Sequence, residues 1–210
     1  MLKIEKFKKT YPGNTEPVLS IENFEIDTGI FWIKGENGSG KTSLLKSIAG
    51  LIPFEGCISV DGHDINRNRM AYTSLVNYAE AEPKYPPFLT GEELIGFYKA
   101  TKHGNFPTLL SEQLGVEKFQ HQKTGTYSSG MLKKLSLVLA FTGKPRLVLL
   151  DEPLVALDLA AVDALQTAIR KYFEEGVSFL ITSHQHLDSA LIGDPVTLLL
   201  KDSSLQKEAI

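Results

Sequence analysis

Residues Gly35-Glu36-Asn37-Gly38-Ser39-Gly40-Lys41-Thr42 fit the pattern G-x-x-x-x-G-K-[S/T] at every specified position. The residue types suit one task, cradling phosphate. Glycines let the backbone curl until several N–H groups point inward, and a helix starting at the end of the loop adds a favourable partial charge. Lys41 has the reach to meet outer phosphate oxygens, the Thr42 hydroxyl is a ligand for Mg2+, and Ser43 continues the nucleotide-binding set. Four specified positions match by chance in a chain of this length on the order of one time in a hundred, so an accidental glycine turn is the weaker reading.

A second cluster lies far downstream. Leu147-Val148-Leu149-Leu150-Asp151-Glu152-Pro153 sets two carboxylates where an apolar strand ends, and open parallel sheets bind ligands at the carboxyl ends of their strands. Beside a phosphate loop, Asp151 is suited to hold Mg2+ or its water shell. Glu152 is suited to polarise a water for in-line attack on a γ-phosphate. An Asp-Glu-Pro turn can also simply solvate a strand end; the loop upstream argues for the chemical role.

Elements that must position these groups follow from patterning. Residues 2–7, 22–27 and 30–34 read as short strands, the last entering the glycine loop, and 41–50 reads as a helix with Leu44, Leu45 and Ile48 on one face. Residues 56–60 read as a strand closed by an Asp61-Gly62 turn. From Thr90 onward, Thr90-x-x-Glu93 is a capping box ahead of a helix, and further helices fit 107–114 and 129–142. Beyond them, 146–150, 177–182 and 196–200 read as strands, with helices over 159–173 and 185–192. A strand is also expected to end near Tyr78. Alternating strands and helices imply an α/β fold with a mostly parallel sheet. The chain reads as one domain over 1–210, with a core over 1–82 and 143–210 and a helical subdomain over about 83–142.

The bulk properties exclude several classes. The 210 residues carry a net charge of -3 and 42% hydrophobic residues, a globular composition without the basic stripe of a nucleic-acid binder. Apolar runs fall short of the ~18 residues a membrane helix needs, and no signal peptide is visible, so membrane association must come through a partner. One cysteine, Cys57, allows no internal disulfide and fits a reduced cytoplasmic setting.

Other motifs complete a resemblance. Tyr127-Ser128-Ser129-Gly130-Met131 opens a helix before the acidic strand and resembles the ABC signature. Ala156-Leu157-Asp158 follows the acidic pair at the spacing of the ABC D-loop. Thr182-Ser183-His184 ends the next strand where that family has its switch histidine, and Tyr11 lies where the family stacks an aromatic on adenine. In order and spacing the chain resembles the nucleotide-binding subunit of ABC transporters over nearly its whole length. The resemblance implies a P-loop NTPase core with an N-terminal antiparallel β subdomain and an inserted α-helical subdomain. It implies a head-to-tail homodimer or paired cassette holding two ATP molecules. Each ATP would be gripped by Gly35–Thr42 of one subunit and by Ser128, Ser129 and Gly130 of the other, with Asp158 also in the nucleotide-binding set and His184 sensing the γ-phosphate. A Ser N-cap at 128, a core histidine at 184 and a surface aromatic at 11 are the plainer alternatives.

The chain departs from that family at two places. Counting back from Leu89-Thr90 puts Ala81 where the family has its Q-loop glutamine; Glu80 or Glu82 could substitute as a hard ligand for Mg2+. In the signature, Ser129 replaces a glycine and Met131 a glutamine. A slow but working ATPase is expected. The function implied is powering transport by an integral membrane permease subunit on the cytoplasmic face of the membrane, with Tyr85, Pro86, Pro87 and Phe88 in the segment that receives the permease. A stand-alone soluble ABC ATPase is the alternative. A phosphotransferase would leave the signature, D-loop and histidine unexplained. A short polar tail after Leu200 leans the reading toward an exporter or a minimal system.

Overall fold

Alternation of buried and exposed residues produces the first sheet. Leu2–Lys9 (β1) buries Leu2, Ile4, Phe7 and Lys9 on one face, and Leu19–Ile26 (β2) repeats the pattern. With Glu55–Val60 (β4) and His63–Asp64 (β5) they form an antiparallel sheet in the order β2-β1-β4-β5. The computed structural model describes residues 1–184 and 192–208.

The second sheet is built from continuous apolar runs, as expected of strands covered on both faces. Its order is β10-β9-β3-β8-β7-β6, comprising Ser204–Lys207, Val196–Lys201, Ile30–Lys34, Ser178–Thr182, Leu147–Asp151 and Val76–Ala79. Every neighbouring pair is parallel except β9 with β10. Strand alternation divides the apolar residues between the two faces. Val148, Leu150, Phe179 and Ile181 pack toward the helices Gly91–Lys102 (α3), Thr108–Gln113 (α4), Ser129–Ala140 (α5) and Leu159–Glu174 (α6). Leu147, Leu149 and Leu180 pack toward the first sheet and the helix Lys41–Ile48 (α1).

Register sets the position of the chemistry. Ile33 and Asp151 both pair with Thr182, so the exits of β3, β7 and β8 share one edge. The phosphate loop, the acidic pair and residues 183–184 leave from that edge.

The α3 capping box forms as patterned: the Glu93 amide donates to Thr90 Oγ1 at 3.1 Å, and the Thr90 amide donates to Glu93 Oε2 at 2.7 Å. Several elements were not expected, β5 among them. Arg69–Leu75 (α2) is a short helix whose N-cap, Asn68, accepts from the Ala71 amide at 3.3 Å. The polar tail after Leu200 is in fact a hairpin. Asp202 and Ser203 both take positive φ (46° and 60°), the geometry of a tight hairpin turn, and β10 pairs back on β9. The helix expected over 185–192 lies, apart from Ile192, outside the described residues.

Candidate functional site

The phosphate loop joins β3 to α1. Gly40 takes φ 101° as the N-cap of α1 and offers no side chain there, so the first-turn amides keep their donors for an incoming anion. A Cβ at Gly35 would lie 2.7 Å from both the Leu200 carbonyl oxygen and Ser39 Oγ, so only glycine fits. Ser39 Oγ is buried with no partner, an orphaned polar atom inside the cradle. The Lys41 ammonium is parked on the loop itself, donating to the carbonyls of Gly35 (2.8 Å) and Glu36 (2.9 Å).

Asp151 is 1% exposed, and both of its carboxylate oxygens are engaged. Thr182 Oγ1 donates to Oδ1 at 2.6 Å, and the Tyr78 hydroxyl donates to Oδ2 at 3.2 Å. Burial together with the Asp151 and Glu80 charges raises the Tyr78 phenol, keeping it a neutral donor. Thr182 Oγ1 also accepts from the Glu152 amide at 3.0 Å, so one hydroxyl fixes both members of the acidic pair. Glu152 sits at φ 44°, a left-handed conformation that costs a non-glycine residue energy. Its side chain is held by His184: the histidine amide donates to Oε2 at 3.1 Å, and Nε2 lies 3.5 Å from Oε1.

These groups share one open cleft of about 380 Å³, lined by Tyr11, Asn37, Gly38, Gly40, Lys41, Thr42, Ser43, Asp151, Glu152 and His184. Tyr11 is tied to the start of α1 by a 2.9 Å hydrogen bond between its hydroxyl and Ser43 Oγ, and the Lys9 ammonium lies 4.4 Å from its ring centre. Gly35, Glu36 and Ser39 line a neighbouring hollow with Leu199–Asp202. A third hollow, with Thr42 and Asp151 in its wall, is lined also by Glu80, Ala81 and Glu82. Ala81 therefore stands beside the hydroxyl and carboxylate suited to a cation, flanked by carboxylates on both sides. Glu80 forms an ion pair with Lys46 at 3.3 Å.

Ser128, Ser129, Gly130 and Asp158 do not line this cleft. Ser128 is exposed and caps α5, accepting from the Met131 amide at 3.2 Å, so the plain N-cap role is realised. Asp158 caps α6, accepting from the Ala161 amide at 2.9 Å, and pairs with Lys134 of α5 at 2.8 Å. That ion pair, with the Ala161 amide, holds the Asp158 carboxyl below the usual range. Asp158 and the helix that Ser128 caps are thus joined to each other rather than to the cleft of their own chain. Sequence reading missed Tyr78, Thr182 and Lys9 as supports of the site. The hydroxyls at two strand ends flanking Asp151 were the available signal, but it needs the strand order.

The residues present fit a Mg2+-nucleotide. A curled amide loop with an orphaned hydroxyl, a lysine able to exchange carbonyls for phosphate oxygens, and a hydroxyl–carboxylate pair at Thr42 and Asp151 are hard-ligand chemistry. Among the described residues, no cluster of three or more His, Cys, Asp or Glu forms a metal site within the protein alone.

The sequence model of the family described as ABC transporter matches residues 21–155, more than half of the chain. The ABC transporter ATP-binding protein YtrB of Bacillus subtilis (strain 168) is 31% identical over 211 residues, covering 98% of this chain and 70% of that protein. ATP-binding cassette sub-family A member 7 of Rattus norvegicus is 32% identical over 209 residues, covering 95% of this chain and 10% of that protein. This chain therefore spans about a tenth of the length of that much larger relative. Among solved structures, the ATP-binding cassette MJ0796, in a dimeric post-hydrolysis state bound to ADP and Pi, superposes with a TM-score of 0.80 over 99% of this chain and 98% of that one. At 22% identity, that likeness speaks for the fold. A loop, an acidic pair and a histidine gathered at one sheet edge, on a fold and sequence shared with these proteins, place the chain in the ABC transporter family as an ATP-binding cassette.

Proposed function

We propose that this chain powers a membrane-embedded transporter by closing head to tail on a second cassette over two ATP molecules. The observation that carries the proposal is the location of Ser128–Gly130 outside the cleft that holds the phosphate loop, Glu152 and His184. A chain that keeps its signature away from its own nucleotide needs a second chain to supply one. The dimeric solved relative supports this reading. Among the described residues, no helix is long and apolar enough to cross a membrane, and in this reading the transport path belongs to a membrane-embedded partner.

In this reading the Lys41 ammonium leaves the carbonyls of Gly35 and Glu36 for the β- and γ-phosphate oxygens, and Tyr11 stacks on adenine. Thr42 and Asp151 hold Mg2+, which supplies charge neutralisation at the phosphates. Glu152 accepts a proton from a water as its oxygen bonds to the γ-phosphorus and the bridging oxygen departs with ADP. His184, already on both Glu152 oxygens, keeps that carboxylate oriented and contacts the γ-phosphate. Glu82, with Glu80, faces the cation side in place of a glutamine at 81. Residues 83–142 act as a helical arm that passes closure to the partner, and exposed Phe88 and Phe97 within it suit an apolar partner surface.

Two measurements test the proposal. Glu152→Gln is expected to lower kcat by at least about 100-fold with KM for ATP changed less than about threefold, and to run as a dimer in ATP with Mg2+. Purification from solubilised membranes is expected to recover a multi-span protein in near 1:1 ratio. Recovery from the soluble fraction alone, with no membrane protein attached, would leave a stand-alone ATP-driven switch and end the transport reading.

A further inference from the structure

Lys133 lies on the signature helix α5 and is 2% exposed. An ammonium carries three N–H bonds, and the fold presents three acceptors, all backbone. Lys133 Nζ donates to the carbonyls of Glu80 at 2.7 Å, Ala81 at 3.0 Å and Asp151 at 3.0 Å. Burying a cation is costly unless each proton finds an acceptor, so these contacts fix the side chain in one arrangement. The three carbonyls belong to two different places: the segment leaving β6, where alanine stands at 81, and the end of β7, where the acidic pair begins. One side chain therefore fastens the signature helix to both.

A second, half-buried lysine provides the comparison. Lys102, at the end of α3, donates to the carbonyls of Thr73 (2.5 Å) and Val76 (3.1 Å), at the opposite end of β6. The chemistry is the same, an ammonium on backbone carbonyls, but Lys102 reaches no residue of β7 or of the cleft.

We propose that Lys133 is a positioning residue for ATP hydrolysis. It makes Ser128–Gly130, the backbone at 80–81 and the start of the acidic pair one mechanical unit, so that movement of the signature onto a nucleotide reaches Glu152 through main chain. Alanine at 81 has no side chain able to carry such a link, and Lys133 supplies it from the other side. The inference rests on the nucleotide-sandwich reading above.

The test pairs Lys133→Met with Lys102→Met, each of which keeps the stem and removes the donors. Both are expected to lower the melting temperature by similar amounts. Lys133→Met is expected to lower kcat by at least about tenfold with KM for ATP within about threefold, whereas Lys102→Met keeps kcat within about threefold. Equal losses of kcat in the two variants, or no loss in Lys133→Met, would overturn the proposal and leave Lys133 as structural glue. Should Lys133→Met fail to fold, hydrogen exchange on the unmodified protein decides. On addition of ATP with Mg2+, amides 80–82 and 129–134 are expected to gain protection together, and protection of one segment without the other refutes the link. If the unmodified protein does not hydrolyse ATP, the function proposed above fails, while the exchange experiment still judges the coupling on ATP binding alone.

Discussion

Replacing Thr182 by valine removes one hydroxyl and almost no volume, and the geometry makes the consequence calculable. That hydroxyl donates to a carboxylate that is 1% exposed, at 2.6 Å. A hydrogen bond to a charged group is worth about 1.5–3 kcal/mol, more than a neutral pair, because the buried charge is left short of a donor. The Glu152 amide is not orphaned, since it also reaches the Thr182 carbonyl at 3.1 Å, so the cost falls on Asp151 alone. A loss of about 2 kcal/mol lowers the melting temperature of a domain of this size by about 4–8 °C. If the same energy orients the carboxylate in the transition state, kcat falls about 30-fold. Phosphate release under steady-state conditions and a thermal melt read the two numbers. Tyr78→Phe removes the donor from the other oxygen, and the double variant is expected to lose more than the sum of the singles, because it leaves a buried carboxylate with neither hydroxyl. A Thr182→Val protein melting within about 1 °C of the parent, with kcat within about twofold, would refute the assignment of Thr182 as the support of Asp151.

Two further predictions concern lysines. Burial lowers Lys102 from 10.5 to about 8, so between those values the unfolded chain holds a proton that the folded chain has released. Stability then rises with pH across the window, and the penalty for burying the charged form is fully present below pH 8. Melts at pH 7.5, 8.5 and 9.5 should therefore move in favour of the parent over Lys102→Met, and the opposite trend refutes the shift. Lys9→Met keeps the buried stem but removes the cation behind the Tyr11 ring. With cation–π contacts worth about 0.5–1 kcal/mol, calorimetry should show ATP binding about 2–5-fold weaker, and unchanged affinity would detach Lys9 from the nucleotide site.

What was legible in the sequence was whatever is local. The phosphate loop is eight consecutive residues with fixed chemistry, the capping box at Thr90 spans four, and the apolar runs of β7 and β8 announce strands covered on both faces. The α2 helix, Arg69–Leu75, has one buried residue, Tyr72, and so no apolar period to read. The β10 strand is short and partly polar, and its turn uses Asp-Ser where Asn-Gly would have signalled a hairpin. The supports of the site were hidden for a different reason. Tyr78, Thr182 and Lys133 are 73, 31 and 18 residues from Asp151, and only the strand order brings them to it.

Glu152 takes a conformation, φ 44°, that the chain would adopt more cheaply with glycine. A lineage selected only for thermal persistence would be drawn toward that replacement, gaining about 1 kcal/mol and giving up the carboxylate. On the function proposed above, a glutamate at this position answers to turnover rather than to durability. The same turn that aims the carboxylate also makes the fold slightly less stable than its sequence length would permit.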